Sequence, residues 1–108
     1  MTNYFTLCFP SELEALEIAR RFRLVDSDGD IISSMGHLGD IDEIGQAFEP
    51  AIRNADGEEI LAPVAISGYF VNISLRSRDL PWSLEKYVVP YGRGRRVFAG
   101  TDASEDAR

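Results

Sequence analysis

The sequence predicts an α+β domain, with one amino-terminal helix packed on an antiparallel sheet of four to six strands. Three observations lead there. Residues 11–23 carry a capped amphipathic pattern of helical period, and residues 69–76 alternate with the period of two that marks a strand. Elsewhere, short apolar runs flank Asp-Gly turns at hairpin spacing. A chain of 108 residues that is 44 % hydrophobic and 27 % charged has the make-up of one globular domain with one core. That domain is expected over residues 1–100, followed by a flexible acidic tail at 101–108.

From the amino terminus, Phe5, Leu7 and Phe9 alternate with Tyr4, Thr6 and Cys8, giving a strand with one strongly apolar face that ends at Pro10. Ser11 with Glu14 forms a capping box for the helix. Glu12, Glu14 and Glu17 lie toward its start and Arg20, Arg21 and Arg23 at its end, matching the helix dipole. Ala15, Ile18, Ala19 and Phe22 form the buried stripe, with Leu13 and Leu16 at its margins.

Two turns of similar chemistry follow. Asp26-Ser27-Asp28-Gly29-Asp30 lies between Leu24-Val25 and Ile31-Ile32, and Asn54-Ala55-Asp56-Gly57 between Ala51-Ile52 and Ile60-Leu61. Each glycine supplies the positive φ that a tight hairpin turn requires. In the intervening segment Leu38, Ile41, Ile44 and Phe48 have a helical rhythm, which Gly39, Gly45 and Pro50 interrupt. The reading is a strand around 44–49 preceded by an irregular loop.

Residues 69–75 are the clearest strand, with Tyr69, Val71, Ile73 and Leu75 on one face and Phe70, Asn72, Ser74 and Arg76 on the other. Residues 79–86 have room for one or two helical turns, with Asp79 as a candidate cap and Pro81 in the first turn. Tyr87-Val88-Val89 and Arg96-Val97-Phe98 read as short strands around a Pro90–Gly94 loop.

The net charge of −7 is unevenly spread. Residues 1–62 hold 13 acids and 4 bases, whereas residues 63–100 hold 2 acids and 6 bases. Overall acidity disfavours nucleic-acid binding, which needs clustered Lys and Arg to neutralise phosphates. The two signs also suit head-to-tail association into a homo-oligomer. No run reaches the ~18–20 apolar residues of a membrane span. The start, Met1-Thr2-Asn3-Tyr4-Phe5, has no basic region ahead of an apolar one, so no secretory signal is expected.

Candidate chemistry is sparse. Counted as a calcium loop from Asp26, Gly29 falls at the fourth position, Ile31 takes the sixth and His37 the twelfth, so the site lacks both its turn glycine and its bidentate acid, and a hairpin turn is the better reading. His37 with Asp40 and Asp42 is a weak metal set, because a lone histidine beside acids in a glycine-flanked loop arises easily by chance. Cys8, the only cysteine, lies in an apolar run and forms no disulfide within the chain. No catalytic residue, metal ligand or cofactor site is assigned. Tyr91-Gly92-Arg93-Gly94-Arg95-Arg96 is the one basic cluster, and it leads into Val97-Phe98, read as a strand rather than a helix, unlike a phosphate-binding loop. It would suit docking on an acidic protein surface, including this chain's own amino-terminal half. Trp82 is either an interface anchor or a cap on the core beside Pro81. The expected partner-binding set is Phe70, Trp82, Tyr91, Arg93, Arg95 and Arg96.

Gly68-Tyr69-Phe70-Val71-Asn72, Leu80-Pro81, Tyr87-Val88-Val89-Pro90 and Arg96-Val97-Phe98-Ala99-Gly100 together resemble small prophage-encoded proteins of unknown function, over residues 56–100. Residues 62–67 and 76–79 are longer than the turns of that family, and Gly92–Arg95 replaces a proline-containing stretch. The resemblance implies a phage setting, with the host cytoplasm as the location and the virion as a further destination. It implies no mechanism. The expectation is a non-enzymatic protein that binds a phage structural protein or a host protein, most simply a minor virion or tail-assembly component. The alternatives are a small acidic inhibitor of a host defence or nucleic-acid enzyme, and a metal-dependent enzyme centred on His37.

Overall fold

The computed structural model describes residues 1–107. Its elements are β1 (Thr2–Phe9), α1 (Glu12–Arg21), β2 (Gly39–Glu49), β3 (Ile52–Arg53), β4 (Glu59–Leu61), β5 (Val64–Arg76) and β6 (Val88–Val89). Short 3-10 turns occupy Gly36–Leu38, Trp82–Tyr87 and Glu105–Ala107. The main sheet has the order β2-β5-β1-β6 with antiparallel neighbours throughout, and β3 and β4 form a separate two-stranded ribbon. The fold is α+β, with the expected helix on the expected sheet.

Both ends of α1 follow from local chemistry. The Ser11 hydroxyl accepts the Glu14 amide at 3.2 Å, closing the first turn. At the other end the Arg23 amide donates to the Arg20 carbonyl at 3.0 Å and the Leu24 amide to the Ala19 carbonyl at 2.8 Å. This is a Schellman closure whose left-handed residue is Arg23, at φ 58° rather than a glycine. Ala15 and Ala19 face the sheet, and their small side chains let the helix sit close above Leu7, Phe9, Val71 and Ile73. An apolar cavity of about 30 Å³ remains between helix and sheet. Leu80 and Leu84 complete this core from the segment after β5.

The two Asx-Gly turns share one geometry. The Asp26 carboxylate accepts the amides of Asp28 and Asp30 at 2.9 and 3.0 Å, and the Asn54 side chain accepts those of Asp56 and Glu58 at 3.0 and 2.9 Å. Gly29 and Gly57 both adopt φ 84°.

Several expectations are corrected. The strand expected around 44–49 begins at Gly39, so the preceding loop is shorter than expected. Gly39 starts it because a Cβ there would lie 1.8 Å from the Ser74 carbonyl oxygen. Irregular register between Glu43 and Ala47, with Gly45 at φ 79°, switches the strand's faces. Ordinary alternation sends Ile41 to the helix-side core and Ile44 to the opposite face, and the switch beyond Ile44 keeps Ala47 on that opposite face; apolar residues on both faces mimicked a helical rhythm. The strand expected over 69–75 starts earlier, at Val64. Residues 96–98 are not a strand, and Asp79 makes no cap, Pro81 standing at that position. The expected flexible tail is folded as far as Ala107: the Ser104 amide donates to the Tyr91 carbonyl at 2.7 Å and Ala107 is buried. Arg108 lies outside the described residues.

Candidate functional site

The sheet face away from α1 holds Thr6, Cys8, Ile44, Ala47, Ile66, Phe70, Asn72 and Val89, and the closing segment 90–104 folds over it. Gly94 makes the approach possible, since a Cβ there would lie 2.8 Å from Ile44 Cδ1 and 3.0 Å from Phe70 Cβ. Gly92 is similarly close to Ala103, at φ 91°.

A buried polar relay joins this segment to the sheet. The Gly92 amide donates to Thr6 Oγ1 at 3.0 Å, and Thr6 Oγ1 donates to Asn72 Oδ1 at 2.6 Å. Asn72 Nδ2 in turn donates to the Arg96 carbonyl at 2.8 Å, which fixes the orientation of the amide. Thr6 and Asn72 are both fully buried, and among the described residues no buried side-chain polar atom lacks a partner. Further along, Thr101 Oγ1 donates to the Phe98 carbonyl at 2.6 Å, so the Tyr91 hydroxyl donates to Thr101 while accepting the Phe98 amide at 2.7 Å. Tyr4 lies against the rings of Tyr91 and Phe98, with centroids 5.8 and 6.0 Å apart.

The arginines of the segment face β2. Arg96 forms a two-pronged pair with Asp42 at 2.7 and 2.6 Å, Arg95 meets Glu49 at 3.1 Å, and Arg93 approaches Glu49 at 4.0 Å. With Arg76 and Asp40 at 3.8 Å, every ion pair among the described residues joins a base of residues 76–96 to an acid of β2. The acidic surface on which the basic cluster docks is thus its own chain. Partly exposed pairs contribute about 0–1 kcal/mol each. Burying a side chain the size of Phe70 contributes about 1.5–3 kcal/mol, so packing and the relay, more than charge, hold the segment down.

The residues expected to bind a partner therefore separate. Phe70 is 1 % exposed and presents no side-chain surface, a correction that follows from its place beneath Gly94. Tyr91 is committed to Thr101 and Phe98, and Arg93, Arg95 and Arg96 to Glu49 and Asp42. These four do not form a free patch. Trp82 stands apart, 84 % exposed, while Leu80 and Leu84 on either side of it fill the core. It is not a cap on the core. His37 is exposed, and Asp40 and Asp42 face arginines. No group of three or more His, Cys, Asp or Glu among the described residues is placed to share a metal ion. Burial, and then the hydrogen bond and charge of Glu43, raise the Tyr69 phenol above its ordinary value.

The surface that sequence reasoning missed is an arm. Beyond the bulge, β2 and β5 run on into the β3–β4 ribbon, and every residue from Ile52 to Ala65 is exposed. Ile52, Ile60, Leu61 and Val64 are each more than half exposed, with Phe48 at the base of the arm half exposed. The arm elongates the molecule to 48 × 30 × 24 Å, with a radius of gyration of 15.3 Å. A compact domain of this length has a value of about 13 Å. The signal was present in the apolar pairs around Asn54–Gly57, which are too short to bury a face of their own. No helix of the described residues is long and apolar enough to cross a membrane. Comparisons with family models, characterised proteins and solved structures find no match to this chain.

Proposed function

We propose that this chain is a non-enzymatic protein-binding component that docks through the arm, in the assembly of a phage particle or tail. The phage setting rests on the sequence resemblance. The observation that carries the docking role is the arm itself: four large aliphatic side chains stand in solvent on it, Ile52, Ile60 and Leu61 on the two-stranded ribbon and Val64 at the start of β5. Clustered exposed apolar residues mark interaction surfaces, and an isolated two-stranded ribbon is marginal in water until something covers it. The inhibitor reading has less support, because Asp40, Asp42 and Glu49 of the acidic half are paired internally.

Mass spectrometry of purified particles and of assembly intermediates tests this reading. The chain is expected in one or both, and a Leu61→Asp variant that folds normally is expected to be missing. Absence of the unaltered chain from both would overturn the assignment.

A further inference from the structure

The arm can be assigned an occupant, on the reading that it is the docking surface. The accessible surface of the protein is 7122 Å². A folded monomer of 12.0 kDa ordinarily exposes about 6,000 Å², an excess here of about 1,100 Å². Each partner in a standard interface covers about 800 Å², so the excess is of the size that one stable interface removes. Residues 52–65 form an unbroken exposed stretch that contributes to it.

The edge chemistry selects the partner. Between the pairs Ile52–Leu61 and Arg53–Glu59 the register advances one residue on β3 and two on β4, leaving Ile60 without a partner in its own ribbon. The outer edge of β4 is also open, because β3 and β4 are the whole of their sheet. We infer that the occupant is a second copy of this chain, with the two β4 strands antiparallel about a two-fold axis at Ile60. An antiparallel alignment sets Ile60 opposite Ile60 of the second copy, Glu59 opposite its Leu61 and Glu58 opposite its Ala62. No carboxylate of these strands then faces another. A parallel alignment would stack Glu58 and Glu59 on themselves, which is unfavourable. One patch meeting itself about a two-fold axis closes the assembly at two copies.

Sedimentation over a concentration series is the test. The mass is expected to rise from 12.0 kDa toward twice that value, and Ile60→Asp is expected to hold it at 12.0 kDa with an unchanged circular dichroism spectrum. In a Cys8→Ala background, Ile60→Cys is expected to give a disulfide-linked dimer on mild oxidation, and Glu58→Cys far less of it, since only residue 60 meets itself. A chain that stays at 12.0 kDa at every concentration overturns the inference, as does equal cross-linking of the two variants. The two proposals fail separately. A chain found in particles that never self-associates keeps the docking role and loses this occupant. A dimer absent from particles and intermediates keeps the occupant and loses the assembly role.

Discussion

Replacing Asn72 with Ala removes the middle of the buried relay and so tests whether the closing segment belongs to the fold. Two hydrogen bonds are lost, one from the Thr6 hydroxyl and one to the Arg96 carbonyl. Each contributes about 1 kcal/mol net, and leaving a buried group unpaired costs about 1–3 kcal/mol. The expected loss is about 3 kcal/mol, a large share of the 5–15 kcal/mol that stabilises a typical domain. With a urea m-value of about 1–3 kcal/mol/M, the unfolding midpoint falls by about 1.5 M. Thr6→Val cuts the same relay from the other side and also leaves the Gly92 amide without its acceptor. Because the two changes share a hydrogen bond, the double variant is expected to lose about 1 kcal/mol less than the sum of the singles. A midpoint for Asn72→Ala within the error of the unaltered chain, or strictly additive losses, would refute the relay.

Three further outcomes are expected. Gly39→Ala places a Cβ 1.8 Å from the Ser74 carbonyl oxygen, so it should cost more than about 3 kcal/mol or abolish folding, seen as loss of the cooperative urea transition. Arg23→Gly relieves a left-handed backbone at φ 58° and should raise the melting midpoint by about 1 kcal/mol of stability; a decrease would show that the arginine side chain supplies something the cap geometry does not. The Tyr69 phenol is held above its ordinary value by burial and by Glu43, so the folded state keeps a proton that the unfolded chain releases. That stabilisation is complete below the unfolded value of about 10 and is lost as the pH rises above it. The urea midpoint should therefore fall less steeply in alkali for Tyr69→Phe than for the unaltered chain, and equal slopes would contradict the assignment.

Where neighbours in sequence decide the structure, the residues were sufficient. Ser11 with Glu14 announced the start of α1, and Asp26–Gly29 and Asn54–Gly57 announced turns of nearly identical geometry. Legibility failed where distant contacts decide. β2 buries apolar residues on both faces, Ile41 on one and Ile44 and Ala47 on the other with the Gly45 bulge between the last two, so its spacing lacks a clear period of two, and only pairing with β5 reveals it as one strand. Arg96–Phe98 has the composition of a strand, yet the Arg96 carbonyl accepts from Asn72 and the Phe98 amide donates to Tyr91 rather than to another strand. The charge split between residues 1–62 and 63–100 was a true signal whose outcome is internal, since Arg93, Arg95 and Arg96 meet acids of β2. Trp82 was ambiguous because Leu80 and Leu84 compete with it for the same core, and the two leucines occupy it.

Amide hydrogen exchange tests the central claim most directly: the basic closing segment is part of the folded body, and the arm is the open surface. At low protein concentration, the amides of Gly92, Arg95, Phe98 and Ser104, all hydrogen-bonded, should be protected, while those facing outward over residues 52–65 exchange freely. Raising the concentration should add protection around Ile60 and nowhere in the closing segment. Free exchange through residues 90–104, or an arm protected at every concentration, would contradict it.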